Sequence, residues 1–262
     1  MTVSQATILI PFYNRQDYLR ETLETVFAQT YKDWKLILID DGSTDRSIET
    51  INDLLSDPRI KNIKNHKNLG KSKSLNRALS LVDTPYILEL DSDDWLFPNT
   101  LQVLIEEFEN QPNDVAIVSG NLQMVVEDRQ GRIKRIIERK GKAFSDKIEF
   151  LFANQVVWPR FCRTNVLKEI GGWPIDDPYE GCHGIDDLRL LLRLIDRYRF
   201  HWIDQCLYKC REHENNLSNK QRKRTAEIRE WAIRDALDRW GYELEPVFYY
   251  DEDGWNYLVD LM

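Results

Sequence analysis

Residues 34–45 read Trp-Lys-Leu-Ile-Leu-Ile-Asp-Asp-Gly-Ser-Thr-Asp, and residues 86–94 read Tyr-Ile-Leu-Glu-Leu-Asp-Ser-Asp-Asp. In both stretches a short, largely apolar run, typical of a strand buried on both faces, leads directly into an acidic turn. The carboxyl ends of parallel strands meet at one edge of an open α/β sheet, where such sheets bind ligands. The two stretches therefore predict a parallel sheet with an acidic site at one edge.

The neighbouring sequence alternates between the periods of strands and helices, which is typical of a parallel sheet covered by helices. Over residues 1–100 this alternation predicts strands at 6–11, 34–39, 60–63 and 86–90, and helices at 16–29, at 48–55 and at 72–81. Further on it predicts strands at 115–118, 156–161 and 199–203, a hairpin over 121–137, and helices at 101–108, 147–152, 165–170, 186–195 and 225–240. The second half therefore adds antiparallel strands, and the sheet becomes mixed.

The composition excludes several classes of protein. The chain has 262 residues, 42% of them hydrophobic, and a formal net charge of -8, which argues against disorder and against nucleic acid as a general partner. The first residues lack the pattern of a signal peptide, and no apolar stretch is long enough to span a bilayer. We expect an intracellular, cytoplasmic protein without a membrane span, and leave peripheral association with the inner face of the membrane open.

The four cysteines favour reduced thiols in the protein core over disulfides, because they are sparse and include no CxxC pair. Cys182, His183, Cys206 and Cys210 are the components of an alternative zinc site, although their spacing matches no established ligand pattern.

The two acidic turns also predict a cation. Asp91 and Asp93 are separated by one residue, which places their carboxylates on the same side of an extended backbone. Like charges at this distance repel each other unless a cation or a ligand rich in donors lies among them. A hard divalent ion that completes its shell with water and phosphate oxygens meets this need.

Several short motifs occur together in a familiar order. They are Ile10–Arg15, Ala28–Tyr31, Ile39–Asp45 and Leu90–Trp95, followed by Gly171-Gly172-Trp173, Asp186-Asp187 and Arg211-Glu212-His213 with Ser218. In this order, residues 3–218 resemble the family 2 glycosyltransferases, which are inverting enzymes with the GT-A fold. The resemblance implies an α/β fold, with a Rossmann-like mixed sheet flanked by helices. It implies a glycosyltransferase domain at 1–220, with a nucleotide-sugar half at about 1–120 and an acceptor half at about 121–220, before a C-terminal helical extension at 221–262.

The resemblance also assigns donor and metal residues. Pro11, Tyr13 and Asp41 resemble the residues that hold the base, and a carboxylate that accepts from an imide N–H suits uracil or thymine. The other positions implied in nucleotide binding are Asn14, Lys71, Lys73, Asp91 and Ser92. The family's usual arginine is replaced by Leu75, so Lys71, Lys73 or Arg77 is expected at the diphosphate. For Mn²⁺ or Mg²⁺ the implied ligands are Asp93, Asp94 and His213, and which of the two aspartates binds directly stays open.

On the acceptor side, Asp187 resembles the general base. Asp186 stands where the family usually has glutamate and is expected to bind the acceptor. Trp173 is expected either to stack on an acceptor sugar or to be a packed aromatic after a helix stop. The implied reaction moves a sugar from a nucleotide donor, UDP-linked by expectation, to a glycan, lipid-linked or protein-linked acceptor. The alternative is a noncatalytic nucleotide-sugar-binding or assembly subunit. The tail is expected to pack on the body, and a homo-oligomer formed through it is left open.

Overall fold

The chain forms one nine-stranded mixed sheet and a separate two-stranded hairpin, seen here in a computed structural model that describes residues 4–154, 157–179, 185–213, 216 and 222–262. The strands of the large sheet are β1 Ala6–Phe12, β2 Trp34–Asp40, β3 Ile60–Lys64, β4 Tyr86–Glu89, β5 Trp95–Leu96, β6 Val115–Glu127, β7 Ile133–Arg139, β8 Arg160–Arg163 and β9 Arg199–Glu212. Their order is β3-β2-β1-β4-β8-β6-β9-β5, and β7 pairs with β6. The first four strands are mutually parallel, whereas β8 runs antiparallel to both β4 and β6. The predicted change from a parallel to a mixed sheet is confirmed.

Helices cover both faces of the sheet. They are α1 Leu19–Phe27, α2 Lys71–Leu79, α3 Thr100–Glu109, α4 Lys147–Ala153, α5 Thr164–Glu169, α6 Asp186–Leu194 and α7 Arg222–Arg239. Helices α1 and α3 pack on one face, and α2, α4, α5, α6 and α7 contribute to the core on the other. Alternate residues of β1 serve the two cores, with Ile8 and Ile10 on the first face and Leu9 on the second.

The segment after the first acidic turn is not the helix that its apolar spacing predicts. Only a 3₁₀ turn over Glu49–Ile51 forms there. Ser47 donates from its backbone and its hydroxyl to Asp45, and the Thr50 hydroxyl donates to the Ser47 carbonyl. Polar side chains that bond nearby backbone groups compete with the regular hydrogen bonds of a helix, which explains the difference.

Two strands are much longer than their sequence patterns predict. Strand β6 continues beyond residue 118 into the predicted hairpin, and β9 continues beyond residue 203 as far as Glu212. The two strands pair in parallel with three register irregularities. Because β9 runs this far, it carries Tyr208 and Arg211 to the second acidic turn.

The C-terminal extension is only partly helical, which corrects the expectation for residues 221–262. Helix α7 packs into the core through its buried residues Ile228, Ala232, Ile233, Ala236 and Leu237. After Gly241 the chain forms an antiparallel hairpin of β10 Pro246–Tyr250 and β11 Asn256–Leu261. Asp251 accepts hydrogen bonds from the backbone of Asp253 and Trp255, and Gly254 has φ of +86°. These are features of a tight turn and favour a hairpin over a helix.

No helix in the described ranges is both long enough and apolar enough to cross a membrane.

Candidate active site

The first acidic turn builds a loop around Asp41, which follows β2. Its Oδ1 accepts hydrogen bonds from Asn65 Nδ2 (2.7 Å) and from the backbone N–H of Leu69 (2.9 Å). Its Oδ2 accepts from the backbone N–H of Gly70 (2.8 Å). A carboxylate offers about four lone-pair sites, so Oδ2 retains capacity for a further donor. Pro11, Tyr13 and Asp41 line the same cleft.

Asn14 supports this loop and is not among the residues that line the cleft, so its predicted role in nucleotide binding stays a prediction. Its side-chain oxygen accepts hydrogen bonds from the backbone N–H groups of Thr44 (2.9 Å) and Asp45 (3.3 Å). It adopts φ of +53°, a conformation in which asparagine is enriched. Gly42 has φ of +79°, and a Cβ there would lie 2.6 Å from the carbonyl carbon of Lys67, so the turn requires glycine.

Lys71 is the cation that α2 delivers to the cleft. It contacts Asp91 directly, and its Nζ lies 2.8 Å from Glu89 Oε1. Its neighbours Asp91 and Glu89 raise its pKa although burial opposes the charge. Lys71 therefore remains charged at neutral pH.

The other two cations proposed for the diphosphate lie elsewhere. Lys73 is exposed and is not among the cleft residues, because a helix turns two residues by about 200°. Arg77 donates to the Lys64 carbonyl (2.7 Å) and to Asn65 (2.6 Å). Of the three candidates, Lys71 alone lines the cleft.

In the second acidic turn, Asp93 faces the cleft beside a histidine. Its Oδ2 lies 3.5 Å from His213 Nε2 and 3.4 Å from Arg15 Nε. Burial opposes ionisation of Asp93, but the hydrogen bond with His213 and the charge of Arg15 hold its pKa below the usual value. The structure thus brings together residues from the loop after β1, from the second acidic turn and from the segment that follows β9. Ser92 and Asp91 line the cleft next to this pair.

Asp94 is held by hydrogen bonds from the protein although it also borders the cleft, and its expected role as a metal ligand stays a prediction. Its Oδ2 accepts a hydrogen bond from the Tyr208 hydroxyl (2.8 Å), and its Oδ1 accepts from the backbone N–H of Arg211 (2.8 Å). Only 3% of the residue is exposed, and burial together with the charges of Asp93 and Asp91 raises its pKa well above the usual value. Asp94 therefore anchors β9 to the turn.

The donor set of Asp93 and His213 fits a divalent ion that takes its remaining ligands from phosphate and water. In the described part of the chain, no three His, Cys, Asp or Glu side chains are arranged to hold a metal ion. Mg²⁺ and related ions are commonly held by one or two side chains plus substrate phosphates, so two protein ligands suffice. Ser218, which the motif places after His213, lies outside the described residues.

The described cysteines, Cys162, Cys206 and Cys210, are free thiols. Cys182 and His183, which complete the alternative zinc set, lie outside the described residues.

The side of the cleft that the family resemblance assigns to the acceptor begins at the first turn of α6. Asp187 has 26% of its side chain exposed and lies 3.3 Å from Arg160 Nη1 through its Oδ2. Its Oδ1 accepts from the backbone N–H of Leu188 (2.8 Å), which holds the carboxylate at the helix N-terminus. Asp186 is 7% exposed, and its Oδ1 accepts from the Ser72 hydroxyl (2.8 Å). Asp187 is thus the more accessible of the two.

A buried ion network connects the two sides of the cleft. Arg160 is 1% exposed and donates to both carboxylate oxygens of Glu89, at 3.2 Å from Nε and 2.7 Å from Nη2. Burial opposes ionisation of Glu89, but Arg160 and Lys71 outweigh it and hold its pKa well below the usual range. Arg160 therefore links Glu89 to Asp187, and Lys71 links Glu89 to Asp91.

Trp173, for which stacking on an acceptor sugar and core packing are both expected, belongs to this network. It is 2% exposed, and its indole N–H donates to Glu89 Oε2 (3.0 Å). Gly171 and Gly172 adopt φ of +82° and +78° and end the segment after α5. The packed-aromatic alternative is therefore correct.

The cleft has a volume of about 1220 Å³, and the C-terminal extension forms part of its wall. Arg229 of α7 and Trp255 and Tyr257 of the hairpin line it, together with Asp187. The sequence analysis did not identify these tail residues, nor Glu89 and Arg160. The sequence does contain a signal for Glu89, because this charged residue lies inside an apolar strand. A buried charge needs a partner, so the position predicts a buried ion pair or hydrogen bond.

The Asp186 carboxyl should make folding stability depend on pH. Burial is the main cause that raises its pKa to about 7, against about 3.9 for an unfolded aspartate. The folded state therefore binds this proton more tightly than the unfolded state does. The resulting contribution to the free energy of unfolding is present at low pH and is lost as pH rises through about 7. We expect the melting temperature of the parent to fall, relative to that of Asp186→Asn, between about pH 5 and about pH 8. A constant difference between the two melting curves would contradict this assignment.

Comparison with known proteins agrees with this geometry. Residues 7–170 match the family model described as Glycosyl transferase family 2. Hyaluronan synthase of Pasteurella multocida is 25% identical over 268 residues, which cover 98% of this chain and 25% of that protein. Chondroitin synthase of Escherichia coli is 25% identical over 260 residues, which cover 94% of this chain and 35% of that protein. The chain thus spans about a quarter to a third of these relatives.

Two solved structures share the fold. S. aureus TarS 1-349 in complex with UDP-GlcNAc has a TM-score of 0.66 and 18% identity, with 89% of this chain and 67% of that chain covered. The mannosyltransferase PcManGT from Pyrobaculum calidifontis, in complex with GDP-Man and Mn²⁺, has a TM-score of 0.66 and 17% identity, with 91% and 65% covered. These likenesses identify the fold as GT-A. Because the family model matches more than half of its residues, the chain belongs to glycosyl transferase family 2.

Proposed function

We propose that the protein transfers a sugar from a nucleoside-diphosphate sugar to an acceptor hydroxyl, with inversion at the anomeric carbon and with a bound divalent ion. The observation that carries the proposal is a single cleft lined by Asp93, which has His213 beside it, by Lys71 and by Asp187. A noncatalytic binder would need the first three residues but not an accessible carboxylate opposite them. TarS with UDP-GlcNAc and PcManGT with GDP-Man and Mn²⁺ support a nucleotide-sugar donor.

For the donor we propose UDP, held at Pro11, Tyr13 and Asp41. Tyr13 is 39% exposed at the end of β1, where its ring is available to a base. The free capacity of Asp41 Oδ2 suits the imide N–H of uracil, whereas guanine would need a different pattern of donors and acceptors. The donor half, about 1–120, supplies these residues.

The diphosphate and its cation would lie between Lys71 and the second acidic turn. Asp93 and His213 would hold the Mn²⁺ or Mg²⁺ ion, which when bound would supply positive charge to the departing diphosphate. Lys71 adds a fixed charge to the same side of the cleft, and Asp91 orients it through their contact. Ser92 and Asp91, which line the cleft beside these residues, would border the ribose.

Asp187 would take the proton from the acceptor hydroxyl, whose oxygen attacks the anomeric carbon as the nucleoside diphosphate leaves. A single displacement inverts the configuration and needs one base, so no protein nucleophile is required. Arg160 holds one oxygen of Asp187, and the exposed part of the carboxylate faces the cleft. The acceptor half, about 121–220, supplies the base, and the extension from residue 221 adds a wall.

The acceptor would be the hydroxyl of a glycan, a lipid-linked sugar or a glycosylated protein. A nucleotidyltransferase would release pyrophosphate, whereas the proposed reaction releases a nucleoside diphosphate. The identity of the nucleotide product therefore separates these two classes of enzyme.

UDP should bind tightly only when Mn²⁺ or Mg²⁺ is present, because the acidic turn repels the diphosphate in the absence of a cation. Isothermal titration calorimetry with Mn²⁺, with Mg²⁺ and with excess EDTA measures the effect. Equal affinity for UDP in EDTA would contradict the metal site. Tighter binding of GDP than of UDP would contradict the base assignment to Asp41.

Asp93→Ala should weaken UDP–Mn²⁺ binding and turnover together, because the lost charge holds the ground-state complex as well as the leaving group. Asp94→Asn is the matched control, since Asp94 is buried and its amide replacement can still accept from Arg211. We expect the control to keep the parental affinity for UDP–Mn²⁺. If Asp93→Ala kept the parental affinity for UDP–Mn²⁺, or if only Asp94→Asn lost it, the metal would be bound by Asp94 and not by Asp93.

A further inference from the structure

The wall of the cleft opposite the donor carries two arginines that make no ion pair with any described residue. Arg229 lies on α7, and Arg139 ends β7. Both line the cleft, and neither has a carboxylate oxygen within 4.0 Å in the described part of the chain. The chain as a whole has a net charge of -8, so acidic residues outnumber basic ones. An excess of basic residues therefore does not explain why these two arginines lack an acidic partner among the described residues. These two residues are called the arginine pair below.

Arg229 is held in place by its surroundings but is incompletely satisfied. Its Nη2 donates to Asn154 Oδ1 (2.5 Å), and Asn154 in turn bonds the backbone of Leu258 in the hairpin. Its Nε is buried and has no hydrogen-bond partner among the described residues. Burial lowers its pKa, while the nearby charge of Asp187 acts in the opposite direction. A buried guanidinium N–H without an acceptor is costly, which points to an acceptor group supplied by a ligand.

The charges of both arginines act on one hydroxyl, that of Tyr257. Burial and the hydrogen bond to Asp251 raise the pKa of the Tyr257 hydroxyl, and the charges of Arg229 and Arg139 both act against that rise. Tyr257 and the half-buried Trp255 belong to the same wall. The arginine pair therefore lines the same cleft as two aromatic side chains of the kind on which sugar rings stack.

We propose that the arginine pair binds an anionic group of the acceptor, a carboxylate or a phosphate, carried near the hydroxyl that receives the sugar. The inference rests on the proposed function, because it places the acceptor beside Asp187. Arginine suits this role, since its planar fork of donors matches carboxylate and phosphate oxygens. An anion at Arg229 would bring a neighbouring hydroxyl of the same acceptor toward Asp187. A neutral acceptor would leave the arginine pair uncompensated.

The test measures binding of charged and neutral acceptor probes to the protein with UDP and Mn²⁺ present. One arm compares an oligosaccharide that ends in a uronic acid with the same oligosaccharide after reduction of the carboxyl group to an alcohol. The other arm compares a glycerol phosphate oligomer with unphosphorylated glycerol. Calorimetry or ligand-observed NMR gives the dissociation constants. The parent should prefer the charged member of at least one pair by about tenfold, and the arm that responds identifies the anion.

Arg229→Gln should abolish most of this preference, and Arg139→Gln should reduce it. Lys223→Gln is the matched control, because Lys223 is exposed on the same helix and does not line the cleft. It should keep the parental preference. Arg139 is exposed, so its variant tests the inference even if Arg229→Gln unfolds.

The inference would be overturned if the parent bound the charged and the neutral probe equally well in both comparisons. It would also be overturned if Arg229→Gln and Arg139→Gln kept the preference for the charged probe. Failure of the proposed function would look different. In that case the charge preference would remain, but no acceptor would stimulate release of UDP from UDP-sugars.

Discussion

Asp187→Asn should lower kcat for sugar transfer by about 10²–10⁴-fold, the usual contribution of a positioned general base. Asparagine has nearly the same shape and can still accept the hydrogen bond from Leu188, but it cannot take up the acceptor proton. UDP affinity and melting temperature should therefore stay near the parental values. Steady-state transfer assays, calorimetry and thermal unfolding of the same preparations measure the three quantities.

Asp186→Asn is the matched control for this experiment. Asp186 is buried against Ser72, so its replacement should change stability and its pH dependence more than turnover. If Asp187→Asn kept parental turnover while chemistry limits the rate, the base would lie elsewhere. Asp186 would then be the first residue to test, because it begins the same helix.

Arg160→Met should destabilise the fold by about 3–5 kcal/mol, the usual cost of removing one partner of a buried ion pair. Among the described residues it would leave Glu89, which is 1% exposed, with Lys71 and the indole of Trp173 as its charged and polar side-chain partners. Turnover should also fall, because Asp187 would lose the contact that holds its Oδ2. Denaturant unfolding measures the first effect, and transfer assays measure the second.

A double-mutant cycle tests whether Glu89 and Arg160 act as a pair. The double variant Glu89→Leu with Arg160→Met removes both charges, so it should cost less than the sum of the single variants. Arg163→Met controls for the loss of an arginine from β8 that has no part in the network. Among the described residues, the Arg163 side chain donates to the backbone carbonyls of Val115, Gln111 and Pro112. Strictly additive losses for Glu89 and Arg160 would contradict the network.

The sequence predicts the donor edge well because the signals there are local. The apolar runs of β2 and β4 identify buried strands, and the acidic turns that follow must lie together at the carboxyl edge. The positions of Asp41, Lys71 and Asp93 follow from this arrangement and from the family motif. The hydrogen bonding of Asp94 does not, because it depends on Tyr208, which lies 114 positions along the chain.

The acceptor side is less predictable because its geometry depends on contacts between distant segments. Glu89 and Arg160 are 71 positions apart and meet through the antiparallel pairing of β4 with β8. Trp173 was expected at either the acceptor or the core, and its hydrogen bond to Glu89 determines the outcome. The tail hairpin was missed since its alternation is short and follows a strong helical pattern in α7.

The most direct test of the account is the stereochemistry and the nucleotide product of a first-turnover reaction. An α-linked UDP-sugar is mixed with the parent, Mn²⁺ and the acceptor probes described above, and proton NMR follows the anomeric signals. The account predicts that the parent forms a β-linked product together with UDP. Product formation should stop in EDTA, and Asp187→Asn should form almost no product. An α-linked product, release of pyrophosphate, or undiminished transfer by Asp187→Asn would contradict it.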